Sequence, residues 1–485
     1  MNVNPRRPIF NRKPQTNVYR MFVWVVMLLG GVWMLQQIDS GDIQPLFKET
    51  AIPTRSASSY ALEGDANFSA GKVEDSILAY QHAVEVDPNN AEIWWKLSRI
   101  QTYSSTYLIT NAQKKARLQE ALQSAEKAIA IAPDDSTVRA VHALALDWSA
   151  SIDFYTAEEV QDFLIQAENE ALQAQQLDSS NALALAYYAE VLVDQQKWDQ
   201  AELIIQQALD IDDTTMDVHR VYAYVLETLG DYNLAITEYD KAITITPNFT
   251  FLYRRAGANY RTLAAKIGDP DAAKPVYIQS LEYFDKAVKI NKQIGVNDPG
   301  PHLSIASTYS QLGDFFAAAL NVQKALEYEP TNPTIYGQLG LVYFRSRNYE
   351  GSIFSLQCAT YGCSGEDSCM GRGLEKCYPN LNLNPVDVPG QPISPNTIVY
   401  YYTYGSVLAA LSRQADNKCD LAMKVLNEVK TEVNSKPDTY ADARQTILFD
   451  IVQPSEFICQ SLNDTGVPAT TNPGAELTET PTPTP

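Results

Sequence analysis

Apolar positions follow two different patterns along the chain. Between Arg20 and Asp39 runs an uncharged stretch, Met21 to Ile38, that is apolar throughout as far as Leu35 and has Trp24 and Trp33 near its ends. As a helix rising about 1.5 Å per residue it covers nearly the hydrocarbon depth of a bilayer. From residue 57 onward, apolar and small residues recur instead at helical spacing, in blocks that each read as two helices joined by a tight turn. One block, Met216–Asn248, carries Tyr222-Ala223 and Leu226, then Gly230-Asp231-Tyr232, Ala235, Tyr239, Ala242 and Pro247. Another opens at Pro333 with Tyr336, Leu339-Gly340 and Tyr343, and residues 57–90 supply Gly64, Gly71, Tyr80, Ala83 and Pro88.

These blocks resemble the tetratricopeptide repeat, a 34-residue helix–turn–helix of pattern W-x2-L-G-x2-Y…A-x3-F…P. Their closing turns recur at Pro88, Pro133, Ser179, Asp213, Pro247, Lys292 and Pro330, in steps of 45, 46, 34, 34, 45 and 38 residues. Two steps have the family length. Three exceed it by roughly three helical turns, which lengthens a helix pair without rotating its buried face. Thr156-x-x-Glu159 has the form of a capping box opening one of these long second helices.

The resemblance implies an all-α fold, a right-handed superhelical solenoid of eight to nine units. Eight units fall in residues 57–361, with the motif clear in the first, fifth, seventh and eighth and degraded in the second, third, fourth and sixth. A Cys/Pro/Gly-rich insertion occupies 362–396. A degenerate ninth unit and a capping helix, expected at 438–460, fill 397–460, closing an end that arrays must cover to stay soluble. In this family the first helices line the concave face. The family's groove-facing positions fall on Trp95, Arg99 and Tyr103 in the second unit and on Arg220, Tyr224 and Glu227 in the fifth. They fall on Phe251, Arg254 and Arg261 in the sixth and on Leu341, Phe344 and Arg345 in the eighth. Arginine beside exposed aromatics suits a carboxylate or an acidic peptide. The alternative is that these arginines pair with neighbouring acids and the aromatics pack between repeats.

Charge sharpens the division between the two patterns. The chain has 485 residues and a net charge of −21. Residues 1–38 hold Arg6, Arg7, Arg12, Lys13 and Arg20 and no acid, so the remainder carries −26. An acidic body of this kind disfavours nucleic acid as a partner. Cations before the apolar stretch and Asp39 and Asp42 after it predict a basic cytoplasmic segment (1–20), a single-pass signal-anchor helix (21–38) and a linker (39–56), with the body outside the cytoplasm. The bulky Trp33-Met34-Leu35 run does not suit a cleavage site. A cleaved signal and a buried soluble helix are the other readings. The segment 461–485, rich in Pro and Thr, lacks the apolar surface needed to order itself.

All six cysteines lie in the C-terminal third: Cys358, Cys363, Cys369, Cys377, Cys419 and Cys459. Only the first interval fits zinc-ligand spacing, and no histidine is near. Disulfides are expected, with free thiols or metal as alternatives. Six cysteines allow 15 pairings, among which the sequence does not choose; a local arrangement has two bridges within 358–377 and one joining Cys419 to Cys459.

No motif for nucleotide, metal or nucleophilic catalysis appears. His82, His142, His219 and His302 read as packing or surface positions. The expectation is therefore a membrane-anchored extracytoplasmic scaffold of bacterial type that binds protein or peptide, without catalysis, cofactor or metal. An accessory or regulatory subunit of an envelope enzyme or secretion complex is the second reading. A carbohydrate- or peptidoglycan-active enzyme is the third, and it would show a close carboxylate pair on facing helices, one with a raised pKa.

Overall fold

The computed structural model describes residues 17–40, 55–151, 155–375, 377 and 384–465. Most of the basic segment and of the linker, and residues 466–485, lie outside them. The chain divides into two units, Met1–Ser56 and Ala57–Pro485. In the first, helix α1 (Val18–Asp39) contains a 20-residue stretch, Val18–Gln37, of mean hydropathy 1.8, long and apolar enough to cross a membrane. None of that stretch is buried.

The second unit is a run of antiparallel helix pairs. They are α2 (Ala57–Ser69) with α3 (Val73–Val86), α4 (Ala91–Ser104) with α5 (Asn111–Ile131), and α6 (Ser136–Ala150) with α7 (Ala157–Leu177). Next come α8 (Ala182–Asp194) with α9 (Trp198–Ile211), α10 (Met216–Leu229) with α11 (Tyr232–Ile245), and α12 (Thr250–Lys266) with α13 (Pro270–Ile294). The last of the regular series are α14 (Gly300–Gln311) with α15 (Phe315–Tyr328) and α16 (Pro333–Arg345) with α17 (Tyr349–Thr360). A two-stranded ribbon, β1 (Gly362–Cys363) against β2 (Val388–Pro389), and a short helix α18 (Gly365–Gly371) follow. A ninth pair, α19 (Ile398–Leu411) with α20 (Cys419–Ser435), and a closing helix α21 (Gln453–Thr465) end the described chain.

Small residues set the spacing of each pair. Ala201 and Ala208 on α9, Ala235 and Ala242 on α11, and Ala318 and Ala325 on α15 are all 0% exposed. Each couple is two helical turns apart, so one narrow stripe per second helix meets its neighbours. On α2, Gly64 sits so close to Tyr80 of α3 that a Cβ would lie 2.7 Å from the ring.

The extra residues of the long repeats go into their second helices: α5, α7 and α13 have 21, 21 and 25 residues against 14 in α3, α9 and α11. The capping box of Thr156 and Glu159 does open α7, and Thr110 with Gln113 opens α5 in the same way. Four expectations need correction. The sixth turn is at Gly295, not Lys292, because Gly295 takes the left-handed φ of 73° that ends α13. The insertion holds a short helix as well as loop. The closing helix starts later than 438, after a turn of π-helix at Thr446–Val452. It also runs to Thr465 rather than ending at 460, and Leu462 on it is buried.

The superhelix closes on itself. Asn248, before α12, donates from Nδ2 to the carbonyl of Ser69 at the end of α2 (3.2 Å). The Phe68 and Phe249 rings are 5.5 Å apart. The short 3-10 turn Ser105–Tyr107 after α4 reaches the same place, where Arg254 donates to the Thr106 carbonyl at 2.8 Å. The first and second repeats therefore touch the sixth.

Candidate functional site

Closure fills the inner face of the first five repeats with the protein's own side chains. Arg99 on α4 pairs with Asp217 on α10, which also accepts from Tyr187 on α8 (2.8 Å) and from Tyr103. Arg220 on α10 makes a two-pronged pair with Glu190 on α8, at 2.7 and 2.6 Å, and Trp148 donates to the same carboxylate at 3.0 Å. Tyr224 donates to Asp194 at 2.5 Å. Glu227 is taken by Arg255 (2.7 Å), Asn259 (2.8 Å) and Tyr239 (3.1 Å). Burial alone would raise the Asp217 carboxyl, but Arg99, Arg220 and the donated hydrogen bonds hold it below its ordinary value.

The expectation of an open ligand groove here is therefore corrected. Tyr103 and Arg220 are 0% and 3% exposed, and Arg99, Tyr224 and Glu227 spend their polar groups internally. Trp95 packs half-buried on the core, with Lys96 5.8 Å from its ring. The Phe251 ring lies tilted against Phe249 (5.6 Å) and Trp148 (6.2 Å).

The next three repeats differ. The inner faces of α12, α14 and α16 form a cleft of about 390 Å³ that contains Arg254, Arg261, Leu341 and Arg345 of the sequence-derived set. Phe344 is outside it, against Tyr349 at 5.9 Å. Leu303, Val322 and Val342 give the cleft an aliphatic floor, and Ser304, Ser307 and Gln338 supply hydroxyls and an amide. Among the described residues, no carboxylate lines it. Arg254 has Asp298 at 3.8 Å and the Thr106 carbonyl, whereas Arg261 and Arg345 have no carboxylate within 4 Å among the described residues. Arg261 reaches the Ser304 carbonyl (3.4 Å) and the Phe284 ring (5.8 Å), and burial lowers its pKa.

The serines of α14 were legible by extending the repeat register to the seventh unit. Ile109 was not. It comes from the loop after α4, inside a lengthened repeat, and reaches the cleft only through closure.

A close pair of acids with raised pKa is present, but inside the protein. Asp147 on α6 is 0% exposed, and neither of its oxygens accepts a hydrogen bond from another type of side chain among the described residues. Burial first, then the charges of Asp194 and Glu190, push it well above its ordinary value. Asp194 is also raised, mainly by burial. The pair shares a proton more readily than it ionises twice, and nothing places it against a substrate-sized opening. Among the histidines, His219 joins Glu238 and the Asp213 carbonyl, each at 2.7 Å, and His302 contacts Asn321. The described residues hold no cluster fit for a metal.

The six cysteines lie in three couples at bonding distance: Cys358 with Cys363, Cys369 with Cys377, and Cys419 with Cys459. The last couple ties α20 to α21.

Comparison with known families agrees with the helix pairing. The TPR repeat family matches residues 64–98, and the tetratricopeptide repeat family matches residues 221–249. It is a tetratricopeptide-repeat protein. Tetratricopeptide arrays are protein-interaction scaffolds, and this chain has that architecture. No curated relative matches it by sequence. Among solved structures, the human IFIT1 dimer with PPP-AAAA is 15% identical, with a TM-score of 0.50 over 85% of this chain and 92% of that one. A thermophilic TPR protein of Thermus thermophilus is 19% identical, with a TM-score of 0.35 over 42% of this chain and 98% of that one. At these identities the likeness concerns the fold alone.

Proposed function

We propose that this tetratricopeptide-repeat protein is a membrane-anchored scaffold whose body lies outside the cytoplasm and binds a protein or peptide, without catalysing a reaction. The observation that carries the reading is the combination of an apolar, unburied helix behind five cations with a repeat array that occupies most of the remaining chain. The array leaves no segment large enough for a separate catalytic core. The arginine cleft is a charged opening on its inner face. Cysteines in bonding couples fit an oxidising compartment. A stable accessory subunit of an envelope complex has the same features and differs in how long the partner stays bound.

Affinity capture of the full chain from detergent-solubilised native membranes tests the proposal. A defined protein should co-purify, and washing with salt separates a transient ligand from a permanent partner. Recovery of the protein alone, or from the soluble fraction without detergent, would count against a membrane scaffold.

A further inference from the structure

The arginine cleft is built from distant parts of the chain. Three inner helices, α12, α14 and α16, supply its cations and floor, and Ile109 of the second repeat adds a wall. Among the described residues, two of its three guanidiniums lack a carboxylate partner, in a chain with 58 acids and 37 basic residues. Where counter-charges are so plentiful, arginines left facing an opening mark a place for an external anion. The cleft also has aliphatic side chains and no aromatic one in its lining. Nucleic-acid single strands are held largely by stacking bases on aromatic faces, and this lining has none to offer. Carboxylates on a chain with aliphatic side chains match both surfaces.

Resting on the scaffold reading above, we infer that this cleft binds an acidic peptide segment bearing aliphatic residues, and that the bound segment clasps the second repeat to the sixth, seventh and eighth. Arg261 and Arg345 take its carboxylates in two-pronged bonds. Leu303 and Leu341 take an apolar side chain. Arg254 keeps its bond to the Thr106 carbonyl, so an occupant touching both Arg254 and Ile109 favours the closed superhelix over an opened one.

The experiment uses full-length protein in detergent and a fluorescein-labelled octapeptide of alternating Glu and Leu, with an alternating Gln and Leu octapeptide and an eight-thymidine single strand as controls. The acidic peptide should bind at least tenfold more tightly than either control, with an affinity that falls as salt rises. Arg261→Glu and Arg345→Glu should each weaken it at least tenfold. Arg345 is exposed, so its reversal carries the test should Arg261→Glu fail to fold. Equal binding of the Gln peptide, unchanged binding by the reversed variants, or preference for the thymidine strand would each overturn the assignment. Peptide binding should also slow amide hydrogen exchange in residues 105–110; unchanged exchange with intact binding would refute the clasp. If a membrane partner co-purifies with the unaltered chain but the acidic peptide does not bind that chain, the cleft is wrong and the scaffold stands. If nothing co-purifies with the unaltered chain, the scaffold reading is what fails.

Discussion

Arg99 in the second repeat and Asp217 in the fifth form a two-pronged ion pair across the superhelix axis, with Nε 3.4 Å from Oδ1 and Nη2 closer still to Oδ2. The side chains are 18% and 5% exposed. Residues 118 positions apart in sequence thus neutralise each other in the interior, and removing one strands the other.

The first prediction follows from that pair. Arg99→Met should destabilise the protein by about 3–5 kcal/mol in urea unfolding, because Asp217 stays buried without its main counter-charge. Adding Asp217→Leu should recover most of the loss. If the double variant is as unstable as the single one, packing rather than charge governs the site.

The buried acids predict a pH effect of opposite sign to ordinary acid denaturation. Asp147 and Asp194 have raised folded-state pKa values, so they bind protons more tightly folded than unfolded. Their stabilising protonation is complete below the unfolded aspartate value, about 3.9, and is lost as pH rises through the folded value toward neutrality. Asp147→Asn should therefore raise stability relative to the native chain more at pH 8 than at pH 5, measured by thermal unfolding. A constant difference across that range would show that the pair does not hold a proton.

Two left-handed glycines separate backbone strain from closure. Gly230, φ 88°, has open space where a Cβ would be, while at Gly71, φ 79°, a Cβ would lie 2.3 Å from the Asn248 carbonyl. Gly230→Ala should cost about 1–2 kcal/mol from conformation alone. Gly71→Ala should cost at least about 1 kcal/mol more, and it should expose the Phe68–Phe249 contact to faster hydrogen exchange. Equal costs would mean that the contact contributes nothing to stability.

The cysteine couples should not contribute equally. Cys419 and Cys459 enclose 40 positions, against 5 for Cys358 and Cys363. Loop-closure entropy makes the long bridge worth about 4 kcal/mol and the short ones clearly less. Replacing Cys419 and Cys459 with serine should loosen α21 selectively, read as faster proteolysis after residue 435. Cys358→Ser with Cys363→Ser should leave that rate near its native value.

Helix pairing was legible because each repeat is a local matter. Small residues at fixed intervals, such as Ala235 and Ala242, and turn residues such as Pro247 act within about 34 positions. The lengthened helices were readable too, since whole added turns preserve the apolar stripe. Side-chain exposure was not. Arg99, Tyr103 and Arg220 occupy ligand-facing slots by register, yet closure supplies them with Asp217 and Glu190 from distant repeats. The same register points Arg254, Arg261, Leu341 and Arg345 inward, and in the structure they line one cleft. Repeat register thus reports which direction a residue faces, and only the global path of the chain reports what it meets there.

Closure also changes how the array comes apart. An open solenoid can fray from either end, one repeat at a time, because each unit holds only its neighbours. Here the Ser69 carbonyl and Phe68 hold the segment before α12, a contact 179 positions long in sequence. The first repeat is therefore no loose end. Pulling on the chain from its N-terminal side would load the sixth repeat as soon as the first, and refolding should end with a slow, long-range joining step rather than a simple zippering from one terminus.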